Sequence, residues 1–203
     1  SATSARPSST SSTTPATRTR VSPPHGTNLQ TDPSTTLDST ARRRVVVTGV
    51  GLVSPLGVGT ETNWRGLLEG RSGIGPITRF DPKDYPARIA GEVHGFNPQD
   101  YVDKKEVKKS DLFIHFALAA SRFALEDSGL QIDEGNADRV GVIIGSGIGG
   151  LPLIEATHTI LMERGPSRVS PFFIPGLIVN MAAGRVWIRY GARGPNPSPA
   201  TAC

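Results

Sequence analysis

A layered α/β domain set behind a polar tail is the fold class that these 203 residues predict. Three observations carry it. The composition changes near residue 41, short β-branched runs alternate with helical periodicity beyond that point, and glycine clusters sit where the runs end.

The tail comes first. Ser and Thr supply 20 of the first 40 residues and Pro five more. That leaves too little apolar side chain to offset the entropy of ordering, so residues 1–41 are expected to be a disordered extension. Residues 42–203 are long enough for one packed core. Gly shows no period of three and there is one Cys, which excludes a collagen and a disulfide scaffold. No window of about 18 residues lacks charge or helix breakers, so no membrane span is expected. The net charge of +4 is mild, and the lysines of residues 104–109 are not interleaved with aromatics, so nucleic acid is not an expected partner. Residues 1–31 contain no acid and carry scattered Arg, as organellar transit peptides do, but they have no apolar stripe. The expected location is the cytoplasm, or a mitochondrion or plastid if the extension is a transit peptide.

Along the folded part, Arg44-Val45-Val46-Val47-Thr48-Gly49 reads as a buried strand and Val50 to Gly59 as a Gly-rich loop leaving its end. Thr60 then starts a helix with Trp64, Leu67 and Leu68 on one face, stopped by Gly70. A short strand is expected near Arg88 to Val93. Ser110 or Asp111 caps the clearest helix, whose apolar face is Leu112, Phe113, Phe116, Ala117, Ala120, Phe123 and Ala124, with Gly129 at its end. Arg139 to Ile144 reads as a second buried strand. A helix from about Leu151 to Arg164, a Pro-rich loop through Pro175 and a helix from Ile178 to Tyr190 follow.

Gly145-x-Gly147-x-x-Gly150 matches the dinucleotide fingerprint and lies between a strand and a helix. The acid that should close a second strand about 20 residues on is missing, since Glu163 to Ser167 falls in a helix end and loop. A nucleotide-binding module using this loop stays open as an alternative.

Several segments together resemble the β-ketoacyl-acyl carrier protein synthases, the condensing enzymes of fatty acid synthesis. They are Arg43-Arg44-Val45-Val46-Val47-Thr48-Gly49 with Ser54-Pro55-Leu56-Gly57, then Gly145-Ser146-Gly147-Ile148-Gly149-Gly150, then Ser170-Pro171-Phe172-Phe173-Ile174-Pro175 with Asn180-Met181-Ala182-Ala183-Gly184, and finally Gly194-Pro195-Asn196 with Thr201-Ala202-Cys203. The ordered set is specific where any one member is weak. The resemblance, strongest to the long-chain type II synthases, implies the N-terminal half of a thiolase-like fold, layered α-β-α with a mixed sheet, and a homodimer. It also implies decarboxylative Claisen condensation of an acyl-enzyme with malonyl-acyl carrier protein. No cofactor is implied, because the substrates ride on the phosphopantetheine arm of the carrier.

The same resemblance makes Cys203 the catalytic nucleophile. A thiolate is the attacking species, and a helix N-terminus following the small residues Ala200, Thr201 and Ala202 would lower the thiol pKa. Considered alone, a single Cys is more often an inert buried side chain. The family's two catalytic histidines, active-site lysine and gating phenylalanine lie downstream of that cysteine, so the 203-residue chain alone is expected to be an inactive fragment. His25, His94, His115 and His158 have no metal-ligand spacing and are given no catalytic role.

Lys104-Lys105-Glu106-Val107-Lys108-Lys109 is the densest basic cluster of the folded part. Such a run is ordinarily a solvated face. By the resemblance, Lys105, Lys108 and Lys109 dock the acidic carrier protein; a non-catalytic carrier binder is the second alternative. Ile148 would bound the acyl-chain pocket, and Phe173 would enter the neighbouring subunit's pocket. Pro197 and Pro199 depart from the family, because a central strand is usual there and each Pro removes a ladder donor.

Overall fold

The computed structural model describes residues 44–200. The disordered extension expected over residues 1–41 and the nucleophile expected at Cys203 lie outside the described residues.

Residues 49–51 lie against the long helix α3 (Leu112–Ser128), and glycine is what lets them approach it. A Cβ on Gly51 would overlap the Ala120 carbonyl, and one on Gly49 would overlap that of Ala124. The Val50 N–H donates to the Asp127 carboxylate at 2.8 Å. The run does not form the expected buried strand. Val45, Val46 and Val47 are 92%, 66% and 83% exposed, and no backbone hydrogen bond joins them to another described residue. β-Branched side chains favour extended backbone, but a strand also needs a bonded neighbour.

A two-residue hairpin follows, β1 (Val53–Ser54) against β2 (Gly57–Val58), and then helix α1 (Thr60–Leu68). Its expected apolar face is turned outward, with Trp64, Leu67 and Leu68 exposed. The buried side carries Asn63 and Gly66 instead. Asn63 explains this, since its Nδ2 donates to the carbonyls of Gly57 and Gly59, each at 2.8 Å, and its Oδ1 accepts from the Ser54 hydroxyl. Polar anchoring of the loop, not the apolar stripe, decides which side of α1 packs.

Strand β3 (Ile74–Pro76) pairs antiparallel with β4 (Ile89–Gly91), as expected near Arg88. The short helix α2 (Lys104–Val107) precedes α3. Gly129 ends α3 in the left-handed conformation, φ 66°, as its sequence position predicts. The deepest face of α3 is Ile114, His115, Leu118 and Ala119, however, and the Phe113, Phe116, Ala117, Ala120 side is only half-buried. Helix α4 (Leu151–Arg164) matches its expected span. The Pro-rich stretch contains a short helix, α5 (Phe173–Leu177), and α6 runs Met181–Tyr190. The core lies where α3 and α6 cross, with Val102, Ile114, Leu118 and Val186 fully packed and Val142 and Ile144 against them.

Residues 140–146 alternate half-buried with exposed, so one face packs on that core while Ile143 on the other is 69% exposed. They run beside 194–199 without forming the regular strand expected over Arg139 to Ile144. Only three backbone bonds join the two segments: Gly194 N–H to Val140 O at 3.0 Å, Val142 N–H to Pro195 O at 2.9 Å, and Ser146 N–H to Pro199 O at 3.3 Å. Prolines at 195, 197 and 199 have no N–H to contribute to the rest.

Candidate active site

The glycine loop Gly145 to Gly150 joins the extended segment to α4, and the N–H groups of Ser146, Gly149 and Gly150 have partners within the protein. The Gly149 N–H donates to the Ser146 hydroxyl at 3.1 Å and the Gly150 N–H to the Leu177 carbonyl at 2.8 Å. Asp111 fills the anion position at the start of α4: its carboxylate accepts from the Leu153 N–H at 2.9 Å. A helix N-terminus favours one negative group, and the protein supplies it from within. The carboxylate thus takes the place at the start of α4 where a nucleotide phosphate would sit. A Cβ on Gly149 would also overlap the Leu177 carbonyl, so the loop's glycines serve close packing.

The expected pocket residues lie on these joined segments. Ile148 projects from the loop and is 67% exposed. Phe173, half-buried, is the first residue of α5, whose far end receives the Gly150 N–H. Behind the loop, an apolar cleft of about 270 Å³ is lined by Phe113, Phe116, Ala117, Ala120, Ile144 and Ser146. This is the face of α3 that the sequence marked as apolar; it borders a gap instead of the deepest core.

The three lysines are not equivalent. Lys105 on α2 and Lys108 just after it are exposed and make no ion pair among the described residues. The Lys109 ammonium is 2.6 Å from a Glu106 carboxylate oxygen and lies over the Phe172 ring, 4.9 Å from its centre. Arg185 of α6 meets the other Glu106 oxygen at 3.4 Å. The hydrogen bond from Lys109, with the charges of Lys109 and Arg185, holds the Glu106 carboxyl below its ordinary range. Lys109 thus ties the basic cluster to the Phe172-Phe173 segment.

Three polar groups near the site had no motif to mark them. Glu92, buried, accepts from the Thr78 hydroxyl at 2.6 Å, the Thr78 N–H at 3.1 Å and the Arg79 N–H at 3.2 Å. The Thr78 hydroxyl is the largest cause holding that carboxyl below its ordinary range. His115, 3% exposed, has Nε2 at 3.0 Å from the Ser110 hydroxyl and a buried Nδ1 without a partner among the described residues. Burial pushes its imidazole below the usual histidine range, against a smaller opposing effect of Asp111. Ser198 donates its hydroxyl to the Ile144 carbonyl at 2.8 Å. A polar residue at a helix-facing or strand-facing position was the only available signal for each. Among the described residues no three His, Cys, Asp or Glu side chains group to hold a metal ion, and no helix is long and apolar enough to cross a membrane.

The family model for the N-terminal domain of beta-ketoacyl synthases matches residues 42–203. The chain belongs to the beta-ketoacyl synthase family. Curated relatives named 3-oxoacyl-[acyl-carrier-protein] synthase 2 are 54% identical over 162 residues in Coxiella burnetii, 55% over 163 in Vibrio harveyi and 52% over 162 in Synechocystis. Each alignment covers 80% of this chain and 39% of the relative, so the chain spans about two fifths of the synthases it matches. Among solved structures, the ishigamide ketosynthase/chain length factor aligns with TM-score 0.69 at 30% identity, covering 80% of this chain and 41% of that one. A beta-ketoacyl synthase from Burkholderia phymatum aligns at 0.61 and 24%, covering 79% and 40%, which speaks for the fold alone. The fold is the N-terminal half of the thiolase-like ketosynthase architecture.

Proposed function

We propose that the protein carrying this chain is a 3-oxoacyl-acyl carrier protein synthase of fatty acid biosynthesis, with Cys203 as its nucleophile. The identity of more than half of the aligned positions to curated type 2 synthases carries the reading. Cys203 Sγ attacks the thioester carbonyl of an acyl group on the carrier's phosphopantetheine arm. The Sγ–acyl bond forms as the pantetheine thiol leaves with the cysteine proton. Malonyl-carrier protein then loses carbon dioxide, and its enolate carbon attacks the acyl carbonyl. The acyl–Sγ bond breaks, the thiolate is regenerated, and the chain has grown by two carbons. No cofactor takes part, and the family's downstream histidines and lysine would serve the decarboxylation.

Lys105 and Lys108, exposed and without an ion pair among the described residues, would meet an acidic carrier protein, with Lys109 behind them at the Phe172 ring. Electrostatic steering between such surfaces raises association rates. Exposure of Ile148 beside the apolar cleft supports its place at the acyl-chain boundary, and Phe173 would reach the pocket of the second subunit in a homodimer.

The test uses the whole protein, incubated with acyl-carrier protein and analysed by intact mass and peptide mapping. An acyl adduct on Cys203 that is absent in Cys203→Ala, with condensation reduced at least about a thousandfold as for loss of a covalent nucleophile, is the expected result. An adduct on another residue, or condensation retained in Cys203→Ala, would overturn it.

A further inference from the structure

The backbone leading to Cys203 is held in place in an unusual way. Val142 N–H bonds to Pro195 O and Ser146 N–H to Pro199 O, four residues apart on both sides, which defines a parallel register. In that register the carbonyls of Val142 and Ile144 face the nitrogens of residues 197 and 199. Both are proline, so two successive acceptors lose their ladder donors. Between the prolines, the half-buried Ser198 sends its hydroxyl to the Ile144 carbonyl at 2.8 Å, with the Val179 carbonyl a longer alternative at 3.4 Å.

We infer that Ser198 is a positioning residue for the nucleophile, its hydroxyl standing in for the N–H that Pro199 lacks. The inference rests on the reading of Cys203 as nucleophile. The two features complement each other. Proline fixes its own φ and biases the residue before it toward extended backbone, so Pro195, Pro197 and Pro199 keep 194–199 extended without ladder bonds. Extension alone does not set register, because a segment with missing bonds can slide along its neighbour. A hydroxyl bonded to Ile144, five residues before Cys203, supplies a fixed point. Nucleophilic attack tolerates little misplacement, and an error of about 1 Å costs on the order of a hundredfold in rate.

The experiment compares Ser198→Ala, Ser198→Thr and the double variant Ser198→Ala/Pro199→Ala in the whole protein. The readouts are the pH dependence of iodoacetamide alkylation at Cys203, mapped by peptide mass, kcat and KM for condensation, and amide hydrogen exchange at Val142 and Ser146. Ser198→Ala is expected to slow alkylation and lower kcat by roughly three- to tenfold, as for one lost hydrogen bond, with KM for the carrier little changed and exchange at Ser146 faster. Ser198→Thr keeps the hydroxyl and should stay near wild type. The double variant restores an N–H at residue 199 facing Ile144 and should recover both rates. Unchanged alkylation and kcat in Ser198→Ala, or a defect that neither Ser198→Thr nor the double variant relieves, would overturn the positioning role while leaving the nucleophile reading intact. Full condensation in Cys203→Ala would instead overturn the nucleophile reading and the positioning role together.

Discussion

The carboxylate of Asp111, the residue before α3, accepts a hydrogen bond from the Leu153 backbone N–H in the first turn of α4 at 2.9 Å. It caps no N–H of its own helix. One side chain therefore serves an orphan donor of a second helix, 42 residues on in sequence, beside the glycine loop that leads into it. Gly150 makes room for it, because a Cβ there would meet the Asp111 side chain and the Leu177 backbone.

Asp111→Ala should destabilise the whole protein by about 1–3 kcal/mol, as for a buried donor left without its partner. Asp111→Asn keeps an acceptor oxygen and should cost clearly less. Urea unfolding at neutral pH measures both, and equal losses in the two variants would contradict the role given to the Leu153 bond.

The different settings of the lysines separate steering from local structure. Lys105→Glu/Lys108→Glu should slow association with acyl carrier protein by about 10–100-fold at low ionic strength, with the deficit shrinking as salt is added. Thermal stability should hardly change, since neither ammonium has a partner among the described residues. Lys109→Glu should slow association and also lower the thermal midpoint, because it places like charge against Glu106 and removes the cation from Phe172. Stopped-flow association across a salt series with parallel thermal scans reads this out. A salt-independent deficit would sink the steering account.

Glu92 gives a prediction in acid. Its carboxyl is held below the ordinary value of 4.5, chiefly by the Thr78 hydroxyl, so folding favours the ionised form. The stability it contributes is present above the unfolded-chain value and is lost as pH falls through the lowered folded value. Thr78→Val removes the main cause and should bring the folded value back toward 4.5, flattening that part of the acid loss and lowering stability at pH 7. Thermal midpoints between pH 2 and 7 test it, and a Thr78→Val curve parallel to wild type throughout would refute it.

Much of the fold was legible because its signals are local. The span of α4 and the glycine stop of α3 follow from periodicity and capping, which depend on neighbours within a few residues. Which side of α1 packs was not legible, because Asn63 is drawn inward by carbonyls of a separate loop. The strands expected over Arg44 to Gly49 and Arg139 to Ile144 do not form for the same reason. β-Branched composition describes one chain segment, whereas strand formation depends on the edge offered by another.

The candidate site divides along the same line. Ile148, Phe173, Cys203 and the lysine cluster could be named from ordered motifs, because the family resemblance is written in consecutive residues. Asp111 at the start of α4, Glu92 beneath Thr78 and the unequal state of Lys109 required distances, since each depends on partners far away in the chain or on a charge balance.

By itself, the sequence determined the family, the order of the four longer helices, the polar tail's composition and the residue types at the candidate site, all properties of local pattern and chemistry. Only the tertiary structure decided that an aspartate occupies the anion position of the glycine loop, and that a serine hydroxyl replaces a ladder donor on the way to Cys203. Both depend on where two remote backbones meet, and hydrogen bonding acts only over about 3 Å once folding has brought them together.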